Sequence, residues 1–153
     1  MRLVENGTLN LDEDVNETLT AWKVPGNAFD VTHKVTLRGL LSMTGGIGVP
    51  GFLGYDVGVP LPTLTQTLDG SPPANSPPVT LIATPGSAYH YSGGGYEIAE
   101  ALMPDATGKP FPQLMRDLVL EPMGMTDSSF DQPPDAALTA RATSGHFGDG
   151  KEL

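Results

Sequence analysis

The residues with the chemistry to act on a substrate are concentrated in residues 85–96, a stretch rich in tyrosine, serine and glycine. Ser92 carries a hydroxyl that could act as a nucleophile if a base lay beside it. No base has a recognisable spacing to Ser92, and the Gly-x-Ser-x-Gly elbow pattern is not matched. The three glycines at 93–95 suggest a phosphate loop, but the flanking strand and the Lys-Ser/Thr pair are missing. They are better interpreted as a tight passage of the backbone at the wall of a site.

Several other kinds of site are excluded or disfavoured by the composition. The 153 residues include no Cys, which rules out disulfides, thiolate metal ligands and cysteine nucleophiles. His33, His90 and His146 are far apart in the chain, so no metal site is predicted. Eight Lys and Arg against 18 Asp and Glu give a formal net charge of −10, which argues against nucleic-acid binding. No apolar run reaches the roughly 18 residues needed to span a bilayer, so no membrane span is expected.

The elements that position residues 85–96 are predicted to be short helices joined by long loops. The chain contains 19 Gly and 15 Pro in clusters, which is typical of an ordered protein with extensive loops. Residues 45–85 form a long connection rich in Pro and Gly, and residues 131–153 are expected to be loop or hairpin turn. Met123, Met125 and Phe130 are expected to belong to the core.

Helix boundaries are marked by N-cap residues and by helix breakers. Thr36 is a good N-cap before apolar residues at helical spacing, and Pro62 lies near the start of a short helix that begins at Thr63. Gly70 and Pro104 are expected to end the helices before them. In the last helix, Leu114, Met115 and Leu118 are the expected buried set. The predicted helices cover residues 37–43, 63–68, 96–103 and 112–120.

The beginning of the chain has the pattern of a helix end. Leu3 and Val4 are followed by Glu5-Asn6-Gly7, a helix C-terminal signal, and a helix of one turn is not stable alone. We therefore expect the chain to begin near the end of a longer helix. The start lacks the apolar region of a signal peptide, and the cellular compartment stays open.

Four segments, in order, resemble the serine β-lactamase-like and penicillin-binding-protein family, in particular its class C β-lactamase and esterase branch. Residues 4–15 are similar to the stretch that follows the family's nucleophile helix, and residues 35–47 to its Ile-Thr-Leu-Arg-His-Leu-Leu-Ser segment. Residues 85–96 are similar to the block that ends in the family's Tyr-x-Asn motif, and residues 107–130 to its Thr-Gly-Lys-Pro-Phe and Glu-Pro-Leu-Gly-Met segments. Each match is weak alone, but four matches in order and with compatible spacing identify the chain as a member.

The resemblance implies an α+β fold of the β-lactamase/transpeptidase type. In the family, a helical region packs against an antiparallel sheet built from both ends of the chain. Residues 1–153 would form a partial domain, mainly the helical and loop half, with few strands. Apolar faces that would otherwise meet the sheet would be exposed, so self-association is expected.

The family's chemistry needs three elements, and only the middle one is present. No Ser is followed by Lys at the third position, so the nucleophilic Ser-x-x-Lys is absent, as is Lys-Thr-Gly. The resemblance places Tyr91 at the family's catalytic tyrosine and Gly93 at its asparagine. Loss of the asparagine amide weakens the case for a lactamase or peptidase and favours an esterase-like member. Phe52 and Tyr55 are candidates for the apolar wall of a substrate pocket, although their loop could equally be a surface excursion with no ligand.

The resemblance therefore implies a fragment of a serine hydrolase that acts on a small-molecule ester or amide through an acyl-enzyme. It implies no cofactor and no metal. The chain alone is predicted to be inactive, because the nucleophile motif is missing. Two alternatives stay open: a non-catalytic binding or regulatory module derived from the same fold, and one half of a split enzyme.

Overall fold

The chain folds as short helices joined by loops. The computed structural model describes residues 1–56, 58–146 and 148–151. These residues fall into two compact units, Met1–Lys109 and Pro110–Leu153. Within the described ranges, isolated β-bridges pair Asp14 with Thr36 and Ile47 with Leu81, and no longer strand forms. The expectation of a helical and loop half with few strands is confirmed.

The first unit is organised around one long helix. This helix, α5, has 15 residues and packs against α2, α3 and α4. No helix of the described ranges is long and apolar enough to cross a bilayer. The buried apolar residues include Leu19, Leu40, Ile47, Leu68 and Ile98, which join the helices to the extended segments between them. The helices of this unit are α1 (Arg2–Glu5), α2 (Val15–Thr18), α3 (Leu37–Leu41), α4 (Leu64–Asp69) and α5 (Gly93–Thr107).

The helices predicted at 37–43 and 63–68 form close to these positions, and each is capped by a threonine. The Thr36 hydroxyl accepts the N–H of Gly39 at 3.1 Å at the start of α3. The Thr63 hydroxyl and the Gln66 side chain form a reciprocal capping box at the start of α4. These caps satisfy N–H groups that have no partner within the first turn of a helix.

Helix α5 is longer at both ends than the predicted 96–103. It begins at Gly93 and continues through Pro104 to Thr107 before Gly108, with φ of 70°, ends it. A proline lacks the N–H for one helical hydrogen bond, which is why Pro104 was expected to end the helix. Burial of Ile98 and Leu102 on the same helix holds the backbone in place and outweighs this loss.

Two carboxyl groups on α5 make the stability of this unit depend on pH. Burial raises the pKa of Glu97 above its usual value of 4.5. Burial, followed by repulsion from Glu97, raises the pKa of Glu100 in the same direction. A raised folded-state pKa contributes stability that is complete below the unfolded value and is lost as pH rises through the folded value.

Replacing both glutamates with glutamine should therefore raise the melting temperature at pH 7.5 and have no effect near pH 4. The reason is that glutamine needs no charge desolvated in the folded state at high pH. Thermal melts at both pH values measure the difference, with Glu5→Gln, which removes an exposed carboxylate, as the control. An equal gain at both pH values would contradict the burial argument.

The second unit is helical at its start and mostly exposed after residue 121. Helix α6 (Phe111–Met115) runs directly into a π-helical turn over Arg116–Leu120, where residues 112–120 were predicted to be helical. Residues 131–153 were expected to be loop or turn, but α7 (Ala136–Thr139) forms there, capped by the Asp135 carboxylate.

Several side chains of the second unit are more exposed than predicted. Leu114 is buried as expected, whereas Met115 and Leu118 are half-buried. The expectation that Met123, Met125 and Phe130 belong to the core is wrong, since all three are at least 42% exposed. Phe130 instead packs its ring edge-to-face on Phe111, with the ring centroids 5.4 Å apart.

Candidate functional site

The first turn of α5 is covered by the backbone of residues 48–50. The N–H of Gly93 donates to the carbonyl of Pro50 at 3.2 Å, and the N–H of Gly94 donates to the carbonyl of Val49 at 3.0 Å. The N–H of Gly95 donates to the Ser92 hydroxyl at 2.9 Å. These N–H groups are the ones that a helix start usually leaves free for an anion. They are already occupied, so the start of α5 is a wall of the site and not an anion cradle.

The backbone of residues 93–95 runs very close to its neighbours, as predicted from the glycines. A Cβ on Gly94 would lie 2.8 Å from the Gly48 carbonyl oxygen and 2.9 Å from Cγ1 of Val79. Val49 has φ of 61°, a left-handed conformation that a β-branched residue rarely adopts. This conformation accompanies the hydrogen bond between the Val49 carbonyl and α5.

Ser92 is the helix cap of α5. Its side chain is buried, and its hydroxyl donates to the Gly48 carbonyl at 2.8 Å while it accepts from Gly95. Both functions of the hydroxyl are therefore used in holding residues 48–50 against the helix. This arrangement agrees with the sequence argument that no base is placed to activate Ser92 as a nucleophile.

Replacing Ser92 with alanine should lower the free energy of unfolding by about 1–3 kcal/mol. The change removes a helix cap and leaves the buried Gly48 carbonyl without its donor. Urea denaturation measures the loss. The matched control is Ser87→Ala, which removes an exposed hydroxyl bonded to the Thr84 carbonyl at 2.7 Å and should cost much less. Equal losses at the two positions would contradict the assignment of Ser92 as a buried cap.

Tyr91 lies directly before this cap and points its phenol into solvent. Its side chain is 62% exposed, and within the part of the chain that the structure describes its hydroxyl makes no hydrogen bond. The two neighbouring tyrosines differ from it, because Tyr96 donates to the Leu41 carbonyl at 3.2 Å and Tyr89 to Sδ of Met43 at 3.3 Å. Of the three phenols around the start of α5, that of Tyr91 is the one available to a reacting group.

The two aromatic residues predicted to line a pocket have different surroundings. Phe52 is half-buried, and Cε2 of its ring would lie 3.5 Å from a Cβ on Gly93. Tyr55 is also half-buried, and its hydroxyl accepts the N–H of Asn75 at 3.1 Å, while the Asn75 amide donates to the Gly54 carbonyl at 2.7 Å. The fold therefore brings Phe52 to Gly93 and ties Tyr55 to the next loop.

The contribution of residues 48–50 to this wall was missed from the sequence. Their carbonyls accept hydrogen bonds from α5, which lies more than 40 residues later in the chain. Every residue has a backbone carbonyl, so the residue types of this loop do not indicate these bonds. Ser92 did carry a signal, because serine before a helix is a frequent N-cap. That signal was hidden because the three following glycines are poor helix formers.

Nearly the whole chain is similar to one family of known proteins. The sequence profile of the family described as Beta-lactamase matches residues 1–152. The chain belongs to the β-lactamase family. Penicillin-binding protein 4 of Amycolatopsis lactamdurans is 30% identical over 151 residues, which are 97% of this chain and 36% of that protein. This β-lactamase-family chain therefore spans little more than a third of that relative's length. The predicted membership of the serine β-lactamase and penicillin-binding-protein superfamily is confirmed.

Solved structures show that the chain has the fold of this β-lactamase family. A β-lactamase/D-alanine carboxypeptidase from Yersinia pestis, complexed with citrate, superimposes with a TM-score of 0.70 at 22% identity, covering 93% of this chain and 39% of that one. EstCE1, a hydrolase with promiscuous acyltransferase activity, superimposes with a TM-score of 0.58 at 29% identity, covering 80% of this chain and 33% of that one. The β-lactamase/transpeptidase fold predicted from the resemblance is thereby confirmed.

Proposed function

We propose that this chain is the tyrosine-bearing part of a serine acyl-transfer hydrolase and that Tyr91 moves the proton of the reacting serine. The observation that carries the proposal is the free, exposed phenol of Tyr91, held at the start of α5 by a serine cap that is itself fully engaged. The similarity to penicillin-binding proteins and to a named hydrolase supports the reaction class.

The reaction would proceed in two steps. A serine oxygen attacks the carbonyl carbon of the substrate, its proton passes through the Tyr91 phenol to the leaving group, and the leaving alcohol or amine departs. Water then attacks the acyl-serine, and the bond between the acyl carbon and the serine oxygen breaks. One proton of the water returns to the serine oxygen, and the carboxylic acid is released. A phenol can take part only if it is within hydrogen-bond reach of the serine and if nearby cations help it to release its proton.

The nucleophile and its lysine are not supplied by this chain. No serine of the sequence is followed by lysine at the third position, and the Lys-Thr-Gly element of the family is missing as well. We infer that the chain acts as a fragment and is inactive alone. Self-association, which the sequence also leads us to expect, stays a prediction.

The substrate we propose is a small-molecule ester in preference to an amide or lactam. Gly93 stands where the family carries the asparagine of Tyr-x-Asn, so the side-chain amide that would contact a substrate amide is missing. An ester needs no such partner. Phe52, beside Gly93, adds an apolar surface at this point of the wall.

The test is to incubate the purified chain with a chromogenic short-chain ester and with a chromogenic cephalosporin. We expect turnover of neither, because the Ser-x-x-Lys nucleophile is absent. A Tyr91→Phe variant is assayed beside the wild-type chain. Turnover that this variant abolishes would overturn the proposed inactivity, because it would reveal a nucleophile within residues 1–153.

A further inference from the structure

The start of α5 presents a surface on which the hydrogen-bond donors are already engaged. The N–H groups of residues 93–95 donate to the Pro50 and Val49 carbonyls and to the Ser92 hydroxyl. The hydroxyl of Ser92 in turn donates to the Gly48 carbonyl. A substrate carbonyl that approached this turn would therefore find no free donor among these groups.

The loop at 50–52, including the edge of the Phe52 ring, lies where a side chain at position 93 would project. A Cβ on Gly93 would be 3.1 Å from the Pro50 carbonyl oxygen, 3.3 Å from Cα of Gly51 and 3.5 Å from Cε2 of Phe52. Contacts this short mean that the loop at 50–52 would have to give way to admit a side chain at position 93. Gly93 thus packs against the loop at 50–52, where the edge of the Phe52 ring lies beside the Pro50 carbonyl.

From this packing we propose that Phe52 and the closed first turn of α5 form a wall that selects substrates with an apolar, amide-free acyl group. The proposal rests on the proposed function, since it assigns an acyl-binding surface to the same site. An amide carbonyl pressed against this wall would lose water and find no free donor among the N–H groups of the turn, whereas a hydrocarbon chain would gain contact with the Phe52 ring.

Two phenyl esters of the same shape distinguish binding of a hydrocarbon acyl group from binding of an acyl group that contains an amide. Phenyl 4-methylpentanoate has a hydrocarbon acyl group, and phenyl N-acetylglycinate places an amide at the same atoms. Each is titrated into the isotope-labelled chain while the backbone amide resonances are followed. We expect resonances of residue 52 and residues 93–95 to shift, with the hydrocarbon ester binding roughly 10- to 100-fold more tightly.

Substitutions then assign the preference to the wall. Phe52→Ala should abolish the preference, and Phe52→Leu should retain it because an apolar surface remains. Leu53→Ala is the matched control, since Leu53 is 92% exposed beside Phe52 and its loss should leave binding unchanged. A Gly93→Asn and Phe52→Ala double variant removes the ring and supplies an amide side chain, for which the Pro50 and Gly51 backbone must still shift slightly, and it should bind the acetylglycinate better than the wild-type chain does.

Equal affinity for the two esters, binding of neither, or shifts confined to other residues would overturn the proposal. If the double variant fails to fold, the two single substitutions at Phe52 still decide the question. Release of free phenol above the protein-free rate would show that the chain is active, so a failure of the proposed inactivity is detected separately from a failure of the selectivity.

Discussion

Replacing Tyr91 with phenylalanine should lower kcat for ester hydrolysis by roughly 10²- to 10⁴-fold once the chain is completed by a Ser-x-x-Lys segment, the range expected for loss of a proton-transfer group. Phenylalanine keeps the ring and removes the hydroxyl. Since Tyr91 is 62% exposed and its hydroxyl bonds to nothing in the described part of the chain, the change should leave the fold intact. The fall in rate would therefore report on chemistry and not on stability.

The measurement uses a chimera in which this chain replaces the matching segment of the penicillin-binding protein relative, which aligns over 97% of the chain. Both kcat and KM are determined with a chromogenic ester. The control is Tyr89→Phe, which also removes an exposed phenol but one already bonded to Sδ of Met43. A Tyr89→Phe variant as impaired as Tyr91→Phe would contradict the assignment of the proton to Tyr91.

The helices that could be predicted from the sequence are those with local signals. Thr36 and Thr63 cap α3 and α4 through atoms three residues away, so the residue types alone indicate where the helices begin. Gly70 ends α4 with φ of 62°, in the left-handed conformation that glycine favours. Each of these features is decided within one helical turn.

The elements that were predicted wrongly are those stabilised from a distance. Three consecutive glycines are poor helix formers, at about 1 kcal/mol each relative to alanine, so α5 was expected to begin only at Tyr96. Hydrogen bonds from residues 93–95 to the loop at 48–50 and to Ser92 hold the first turn instead. Pro104 was misjudged for the same reason, because the burial of α5 does not show in local sequence.

In the candidate site, too, local motifs could be recognised from the sequence and contacts between distant segments could not. The assignment of Tyr91 and Gly93 to the candidate site comes from the resemblance, because they lie two positions apart in a motif similar to the family's, and it stays a prediction. The approach of Phe52 to Gly93 could not be predicted, because a loop 41 positions earlier in the chain makes it. A long loop rich in Pro and Gly has no periodic pattern from which its course could be deduced.

Replacing Gly94 with alanine should lower the free energy of unfolding by about 2–3 kcal/mol, near the upper end of the cost of overpacking a core. Alanine within a helix is normally better than glycine by roughly 1 kcal/mol, so propensity alone would predict a gain. The steric clash outweighs this gain and makes the variant less stable, because the new Cβ would be 2.8 Å from the Gly48 carbonyl oxygen and 2.9 Å from buried Val79.

The Gly48 backbone beside Gly94 cannot move freely. The Gly48 carbonyl holds the Ser92 hydroxyl, and the N–H of Gly48 donates to the Thr80 carbonyl at 2.9 Å, so a shift there disturbs the cap of α5 as well. Urea denaturation at constant m-value measures the loss. The control is Gly51→Ala, where a Cβ would meet open space and stability should hardly change. If the Gly94→Ala variant were as stable as that control, residues 48–50 could not lie this close to the first turn of α5, and the proposed wall of Phe52 and this turn would be overturned.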